Sequence, residues 1–164
     1  MKILLKILTG LIFIICSCTN MQTEIAKKWK LSSSVNPMRD TLFAQMNREI
    51  SSLKDSIAKL TDTAQLVGMQ EQLSQNEFAL KLFNQNVNKL MNESFIDLNT
   101  NGLYKTNITG TESGKWELSS DKKSIYFHPE NKTKSDTMYI KEFKAGTSLI
   151  LAFDSATYLV FQPE

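Results

Sequence analysis

Few residues in this chain of 164 have side chains that commonly carry out catalysis or bind metal ions. His128 is the only histidine, and the two cysteines, Cys16 and Cys18, lie close to the N-terminus. A structural metal site needs several His, Cys or carboxylate ligands, and a hydrolytic triad needs a base beside its nucleophile. The sequence therefore predicts no catalytic residue, no metal ligand, no cofactor and no enzymatic activity.

Three carboxylates, Glu112, Glu117 and Asp121, lie close together in the sequence. Two carboxyl groups can share the roles of acid and base when the fold brings both onto one substrate. These three surround a predicted hairpin, and residues at turns are usually solvated. We interpret them as solvent-exposed turn residues rather than as an acid–base pair.

Aromatic side chains offer a different chemistry, the binding of a small apolar molecule in a pocket. Trp29, Tyr104, Trp116 and Phe127 lie on predicted strands, and they are candidate ligand-binding residues if these strands close into a barrel. The interior of a small barrel is often filled by its own side chains. These four residues therefore have two alternative roles, as the lining of a pocket or as part of a packed core.

The segment from Ser94 to Gln162 alternates apolar and polar residues with a period of two, which is typical of β-strands. Asn101-Gly102 is a strong signal for a two-residue hairpin turn. An earlier strand is predicted around Trp29, which shares one face with Leu31. About eight strands, joined mostly by tight turns in up-and-down order, predict a small antiparallel β-barrel.

Residues 37–92 have a period of about 3.6 and predict two helices between the first two strands. Asn36-Pro37 is a typical helix start, and Asp62 is placed to cap a second helix. Each helix carries an apolar stripe, and the short connection predicts that the two lie antiparallel. We expect the stripes to pack within the chain, with pairing to a partner protein as the alternative.

The predicted fold class is therefore α+β, a small antiparallel up-and-down barrel with an inserted helical hairpin. The last two strands, residues 149–153 and 158–161, are apolar on both faces. A strand of this kind needs cover on both sides. We therefore expect the helical hairpin to pack on the outer face of the barrel, across these two strands.

Residues 1–17 have the composition of a signal peptide. Their apolar run is shorter than the roughly 20 residues that a membrane-spanning helix needs. The run ends in Ile15-Cys16-Ser17-Cys18, which resembles a bacterial lipobox. By this resemblance Cys18 becomes the lipid-modified first residue of the mature protein, and residues 18–26 form a flexible tether. Cleavage before Cys16 and an ordinary secreted protein cut near Thr19 are the alternatives.

The chain beyond the predicted signal peptide is electrically neutral. Lys2 and Lys6 are the only charged residues of that peptide, which leaves 17 basic residues against 17 acidic ones. A protein that neutralises nucleic-acid phosphates needs a clustered excess of positive charge. Nucleic acid is therefore not an expected partner.

Short motifs along the chain resemble the lipocalin-like lipoproteins of Bacteroidetes. They are the Trp29 strand, the Asn-Gly-Leu-Tyr hairpin at 101–104, Gly114-Lys-Trp116-Glu-Leu118, the Asp121 turn, Met138-Tyr-Ile140 and the aliphatic run from Leu149. The likeness covers the Trp29 strand and most of residues 95–162. The chain departs from it in its long helical insertion and in the Asp121 turn, which has Lys where Gly is usual. The resemblance implies a lipocalin-like fold and leaves the ligand open.

Together these features predict a single domain at residues 27–164, with its helical insertion at 37–92 and its β-meander at 94–162. The expected function is a lipid-anchored, non-enzymatic binding protein of the cell envelope, with a small apolar molecule as the candidate ligand. The expected location is the outer membrane, attached by the lipid on Cys18. The periplasmic face is favoured over the cell surface because no acidic cluster follows Cys18. The alternative is a structural lipoprotein whose helical hairpin contacts another envelope protein.

Overall fold

The computed structural model describes residues 21–164, so the predicted signal peptide and the predicted lipidation site at Cys18 lie outside the described residues. Within that range the chain has an α+β fold. In chain order its elements are α1 (Met21–Ile25), β1 (Lys28–Val35), α2 (Pro37–Ile57), α3 (Thr63–Glu93), β2 (Phe95–Leu98), β3 (Leu103–Thr106), β4 (Glu112–Leu118), β5 (Ser124–Pro129), β6 (Asp136–Lys144), β7 (Ser148–Ala152) and β8 (Tyr158–Pro163).

The strands form a closed antiparallel barrel in which each strand pairs with its neighbour in sequence and β8 pairs with β1. The predicted up-and-down barrel with a helical insertion is confirmed. Gly102 adopts a φ of 81° in the Asn-Gly turn, a conformation that glycine reaches without a steric cost. Lys122 adopts a φ of 60° in the Asp121 turn, at the position where the family resemblance expects glycine.

Inward-facing side chains from all parts of the barrel form one apolar core. Because successive side chains of a strand point to opposite faces, every second residue of each strand contributes to it. The buried residues of this core are Ile25, Trp29, Leu31, Ile96, Leu98, Tyr104, Trp116, Ile125, Phe127, Leu149, Leu151, Leu159 and Phe161.

Helix α1 covers one end of the barrel, which we call the closed end. Ile25 is fully buried, and its carbonyl accepts a hydrogen bond from Trp29 Nε1 at 2.8 Å. Phe143 packs edge-on against Trp29 with ring centroids 6.3 Å apart. The structure therefore differs from the expected tether over residues 18–26, since the chain is folded from Met21 onward. The physical reason is that burying Ile25 removes apolar surface of both the helix and the barrel end from water.

Local capping accounts for where α2 and α3 begin. Asn36 Oδ1 accepts a hydrogen bond from the backbone N–H of Arg39 at 3.0 Å. Asp62 Oδ1 does the same for the N–H of Ala64 at 2.9 Å. A capping oxygen satisfies an N–H group that has no partner inside its helix, so both predicted helix starts are confirmed.

The two helices form the predicted antiparallel hairpin, with their apolar stripes facing each other. Ile50 is buried between them, and the ring of Phe43 stacks on that of Phe83 with centroids 6.1 Å apart. Farther from the barrel, Lys54 Nζ pairs with Glu77 Oε1 at 2.8 Å. None of the helices within residues 21–164 is both long enough and apolar enough to cross a membrane.

The hairpin packs on the outside of the barrel, but beside β1 rather than across β7 and β8. Near the end of α3, Met91 Sδ accepts a hydrogen bond from Ser34 Oγ at 3.7 Å. Asn36 alone joins β1 to α2, and Ser94 alone joins α3 to β2. Connections this short make both helices leave from one end of the barrel, so the expected cover over β7 and β8 is wrong in this detail.

Candidate ligand-binding cavity

The two ends of the barrel differ in what lies there. α1 covers the closed end, where β1 begins and β2 ends. At the opposite end, which we call the open end, residues 107–111 join β3 to β4 and residues 130–135 join β5 to β6. The helical hairpin also leaves the barrel at the open end.

A cavity of about 330 Å³ lies at the open end, and we call it the mouth cavity. Most of its wall is apolar, and a group of polar side chains forms one side. It is lined by Ile96, Tyr104, Thr106, Ile108, Thr109, Glu112, Phe127, Lys132, Asp136, Thr137, Met138 and Phe153. Ligand pockets typically have a volume of about 300–1,000 Å³ and this combination of an apolar wall with a few polar groups.

Four lining residues form a connected polar cluster. The hydroxyl of Tyr104 donates to Glu112 Oε1 at 2.7 Å. Lys132 Nζ lies 2.6 Å from Glu112 Oε2 and 3.2 Å from Asp136 Oδ2. The side chain of Glu112 is only 20% exposed, and each of its oxygens has a partner within the protein.

The polar cluster changes the acidity of its members. The hydrogen bond from Lys132 lowers the pKa of Glu112, burial opposes this effect, and the bond from Tyr104 adds to it. Burial raises the pKa of Tyr104, and the hydrogen bond to Glu112 and nearby negative charges raise it further. Hydrogen bonds to Glu112 and Asp136 raise the pKa of Lys132. All three shifts lead away from neutral pH, so Glu112 stays anionic and Lys132 stays cationic near pH 7.

Gly114 allows Tyr104 to reach Glu112. The two residues Tyr104 and Gly114 are paired across β3 and β4. A Cβ at position 114 would lie 2.9 Å from Tyr104 Cε1 and would collide with the carbonyl oxygen of His128. The absent side chain therefore leaves room for the phenol ring, which also packs edge-on against Phe127 with centroids 5.0 Å apart.

The predicted ligand-binding residues fall into two groups. Tyr104 and Phe127 line the mouth cavity. Trp29 and Trp116 belong to the core, and their indole N–H groups donate to the backbone carbonyls of Ile25 at 2.8 Å and Asn99 at 2.9 Å. Both carbonyls lie toward the closed end, so the structure separates the two tryptophans from the cavity.

The sequence analysis missed Glu112, Asp136 and Lys132 as members of a site. The expectation of a solvent-exposed turn residue is wrong for Glu112, which is largely enclosed by its partners. Alternation along β4 from Trp116 gives Glu112 an inward position, and alternation along β6 from Met138 does so for Asp136. That signal was present in the sequence. Lys132 lies in a loop, where no periodicity indicates the direction of a side chain.

His128 lies away from the mouth cavity, on the outer face of β5. Its Nδ1 is 2.6 Å from Ser135 Oγ, and its Nε2 is 3.4 Å from Glu117 Oε1. These are residue types of a hydrolytic triad, but the side chains of His128 and Glu117 are 43% and 64% exposed. Triad chemistry depends on a site that excludes water, so we interpret the contact as a surface hydrogen-bond chain.

Within residues 21–164, no three His, Cys, Asp or Glu side chains are grouped so that they could hold a metal ion. Comparison of the chain with known protein families, with curated proteins and with solved structures finds no match. The fold and the mouth cavity are therefore the structural basis for assigning a function.

Proposed function

We propose that this protein is a lipid-anchored, non-enzymatic binding protein of the cell envelope that holds a small, mostly apolar molecule in the mouth cavity. The cavity is the observation that carries the proposal. It offers an apolar wall and a polar side within one preformed space of about 330 Å³. A ligand that enters it gains apolar contacts without displacing the packed core.

The resemblance of Ile15-Cys16-Ser17-Cys18 to a bacterial lipobox supports the envelope location. Cys18 precedes Met21 by three positions, and backbone of this length spans at most about 11 Å. A lipid on Cys18 would therefore hold the closed end near the membrane. The open end would then point away from the bilayer, and a ligand would enter from the aqueous side.

The uncharged apolar dye N-phenyl-1-naphthylamine, whose fluorescence rises in apolar surroundings, tests the binding proposal. The chain from Thr19 to Glu164, made without a lipid, contains every element that the structure describes. We expect saturable binding of one dye per chain. Ile108→Trp enlarges a side chain of the cavity wall and should weaken dye binding by about tenfold or more, which corresponds to about 1.4 kcal/mol.

Leu103→Trp is the matched control for this experiment. Leu103 is 44% exposed and lies at the closed-end side of β3, so the same kind of enlargement there should leave dye binding unchanged. Absence of saturable binding, or an equal loss in the two variants, would contradict the binding proposal.

The helical hairpin supports a second candidate function, contact with another envelope protein. Val67, Phe78 and Leu82 of α3 are 60%, 62% and 43% exposed. They lie about three turns and one turn apart on the same side of the helix. A row of exposed apolar side chains is a common feature of interaction sites.

A photo-crosslinking residue introduced in cells at position 78 tests this second function. We expect one defined adduct from position 78 and none from position 84, an exposed asparagine that lies about 120° around the same helix from Phe78. Adducts of equal yield from both positions, or none from either, would argue against a specific contact of the hairpin.

A further inference from the structure

The cationic side chain of the mouth cavity is already paired. The ammonium of Lys132 lies between two carboxylates, 2.6 Å from Glu112 Oε2 and 3.2 Å from Asp136 Oδ2. The other oxygen of Glu112 accepts a hydrogen bond from Tyr104. An incoming carboxylate or phosphate would thus meet the single cation among the lining residues with both of its anionic partners in place.

The charge of the lining residues favours a positive head group. Two carboxylates, Glu112 and Asp136, and one ammonium, Lys132, leave the cavity with a net charge of −1. Glu130 in the adjoining loop adds to the negative field, and its charge helps to raise the pKa of Tyr104 after the larger effects of burial and hydrogen bonding. Such a field attracts cations to the open end and repels anions.

Lys132 also marks the position that an ammonium group takes. The residue belongs to the loop at 130–135, and its side chain is 51% exposed. An exposed lysine has a flexible stem and a strongly hydrated head, so it can move into solvent at little cost. Glu112 and Asp136 stand at inward positions at the starts of β4 and β6, and both carboxylates remain there when Lys132 leaves.

We propose that the mouth cavity binds alkyl-ammonium amphiphiles. The ammonium head of the ligand replaces that of Lys132 between Glu112 and Asp136, and the alkyl chain lies against Phe127 and Met138. Lys132 is thus an internal competitor that keeps the carboxylates paired while the cavity holds no ligand. This inference rests on the proposed function, because it names the class of ligand for the same cavity.

Decylamine, decanol and decanoate share one alkyl chain and differ in head group, so their competition with the bound dye tests the inference. On the chain from Thr19 to Glu164 at pH 7 and low salt, we expect decylamine to compete about tenfold better than decanol, because charge-assisted hydrogen bonds are the stronger ones. Decanoate should compete less well than decanol. Asp136→Asn and Glu112→Gln should each reduce the advantage of decylamine over decanol.

Lys132→Gln removes the internal competitor and should improve decylamine binding by about threefold or more, since both carboxylates become free and the local charge becomes more negative. Lys134→Gln is the matched control. It makes the same change of net charge in the same loop, outside the polar cluster, and should leave the competition nearly unchanged.

Stronger competition by decanoate than by decylamine, or weaker decylamine binding in Lys132→Gln, would overturn the inference, because Lys132 would then be the ligand contact. Equal competition by decylamine and decanol would also overturn it. Dye binding and its loss in Ile108→Trp are independent of the head group, so the proposed function can survive each of these results. The Asp136 side chain is 55% exposed, and Asp136→Asn therefore keeps the test decisive even if Glu112→Gln fails to fold.

Discussion

Glu112 uses each of its carboxylate oxygens for a different partner inside the barrel. Tyr104 donates to one oxygen and Lys132 to the other. A single residue therefore links the buried phenol of β3 to the loop between β5 and β6. Because hydrogen bonds to a charged group are stronger than neutral ones, this residue should stabilise the open end as well as shape the cavity.

Glu112→Gln should lower the free energy of unfolding by about 1 kcal/mol, a figure reduced because Lys132 is half exposed to solvent. Urea denaturation at pH 7 measures it. Glu117→Gln on the same strand is the control, and it should change the free energy by less than about 0.5 kcal/mol because that side chain faces water. Equal effects of the two substitutions would contradict the role given to Glu112.

The effect of Glu112→Gln on the free energy of unfolding should depend on pH. The folded state lowers the pKa of Glu112 below its ordinary value of 4.5, so its contribution to stability is present above pH 4.5 and is lost as the pH falls through the folded pKa. The difference in unfolding free energy between the wild type and Glu112→Gln should therefore shrink between pH 5 and pH 2.5. A difference that stays constant over this range would show that the charge of Glu112 does not stabilise the fold.

At the scale of elements, two glycines have opposite roles in a strand and a helix. Gly114 of β4 is in close contact with Tyr104 and with the backbone of β5, whereas a Cβ at Gly68 of α3 would meet no atom within 4 Å. Glycine lowers the stability of a helix interior relative to alanine because its unfolded chain has more freedom to lose. The same substitution should therefore act with opposite sign at the two positions.

Gly114→Ala should lower the free energy of unfolding by roughly 2–4 kcal/mol, because the new Cβ forces β5 and the ring of Tyr104 to move. Gly68→Ala should raise it by about 0.5–1 kcal/mol. Urea denaturation measures the free energy of unfolding of both variants. A destabilised Gly68→Ala variant would contradict the open space around that position, and a neutral Gly114→Ala variant would contradict the packing of Tyr104 on β4.

The helical hairpin differs from the barrel in how much of it is buried. α3 has no buried residue, and Ile50 is the one buried residue of α2. Local opening costs least where few apolar side chains are removed from water. Amide hydrogen exchange followed by mass spectrometry should therefore be faster at the tip of the hairpin, residues 52–70, than in β4 and β5. Equal protection of the two regions would mean that the hairpin and barrel open only together.

At the scale of the whole molecule, the barrel needs α1 to close one end. Ile25 contributes a fully buried side chain to the core although it precedes the first strand. The two ends of the barrel therefore differ. The predicted lipid site is next to the closed end, and the mouth cavity lies at the open end. Access of ligand to the cavity is therefore compatible with attachment to a membrane.

Ile25→Ala should lower the free energy of unfolding of the whole barrel by roughly 2–4 kcal/mol, the range for deleting a large aliphatic side chain from a core. Thr23→Ala on the same helix is the control, since Thr23 is exposed, and it should change stability by less than about 0.5 kcal/mol. Urea denaturation measures both. An Ile25→Ala variant as stable as the control would restore the interpretation of this segment as a tether.

The sequence by itself determined the class of elements and their order. The change of period at Ser94, the Asn101-Gly102 turn and the caps Asn36 and Asp62 act on neighbouring residues, so each could be recognised without knowledge of the rest of the chain. These signals were sufficient to predict a barrel with a helical insertion. The shared face of Trp29 and Leu31, both buried in the core, followed from the same alternation.

Only the tertiary structure decided which side chains meet at the open end and how the two ends differ. Tyr104, Glu112, Lys132 and Asp136 come from two strands, a loop and a third strand, and closure of the barrel brings them within hydrogen-bond distance. The docking of Ile25 and the position of the hairpin beside β1 likewise depend on contacts between segments distant in sequence. Local patterns specify the face on which a side chain lies, whereas its partner depends on how the whole sheet closes.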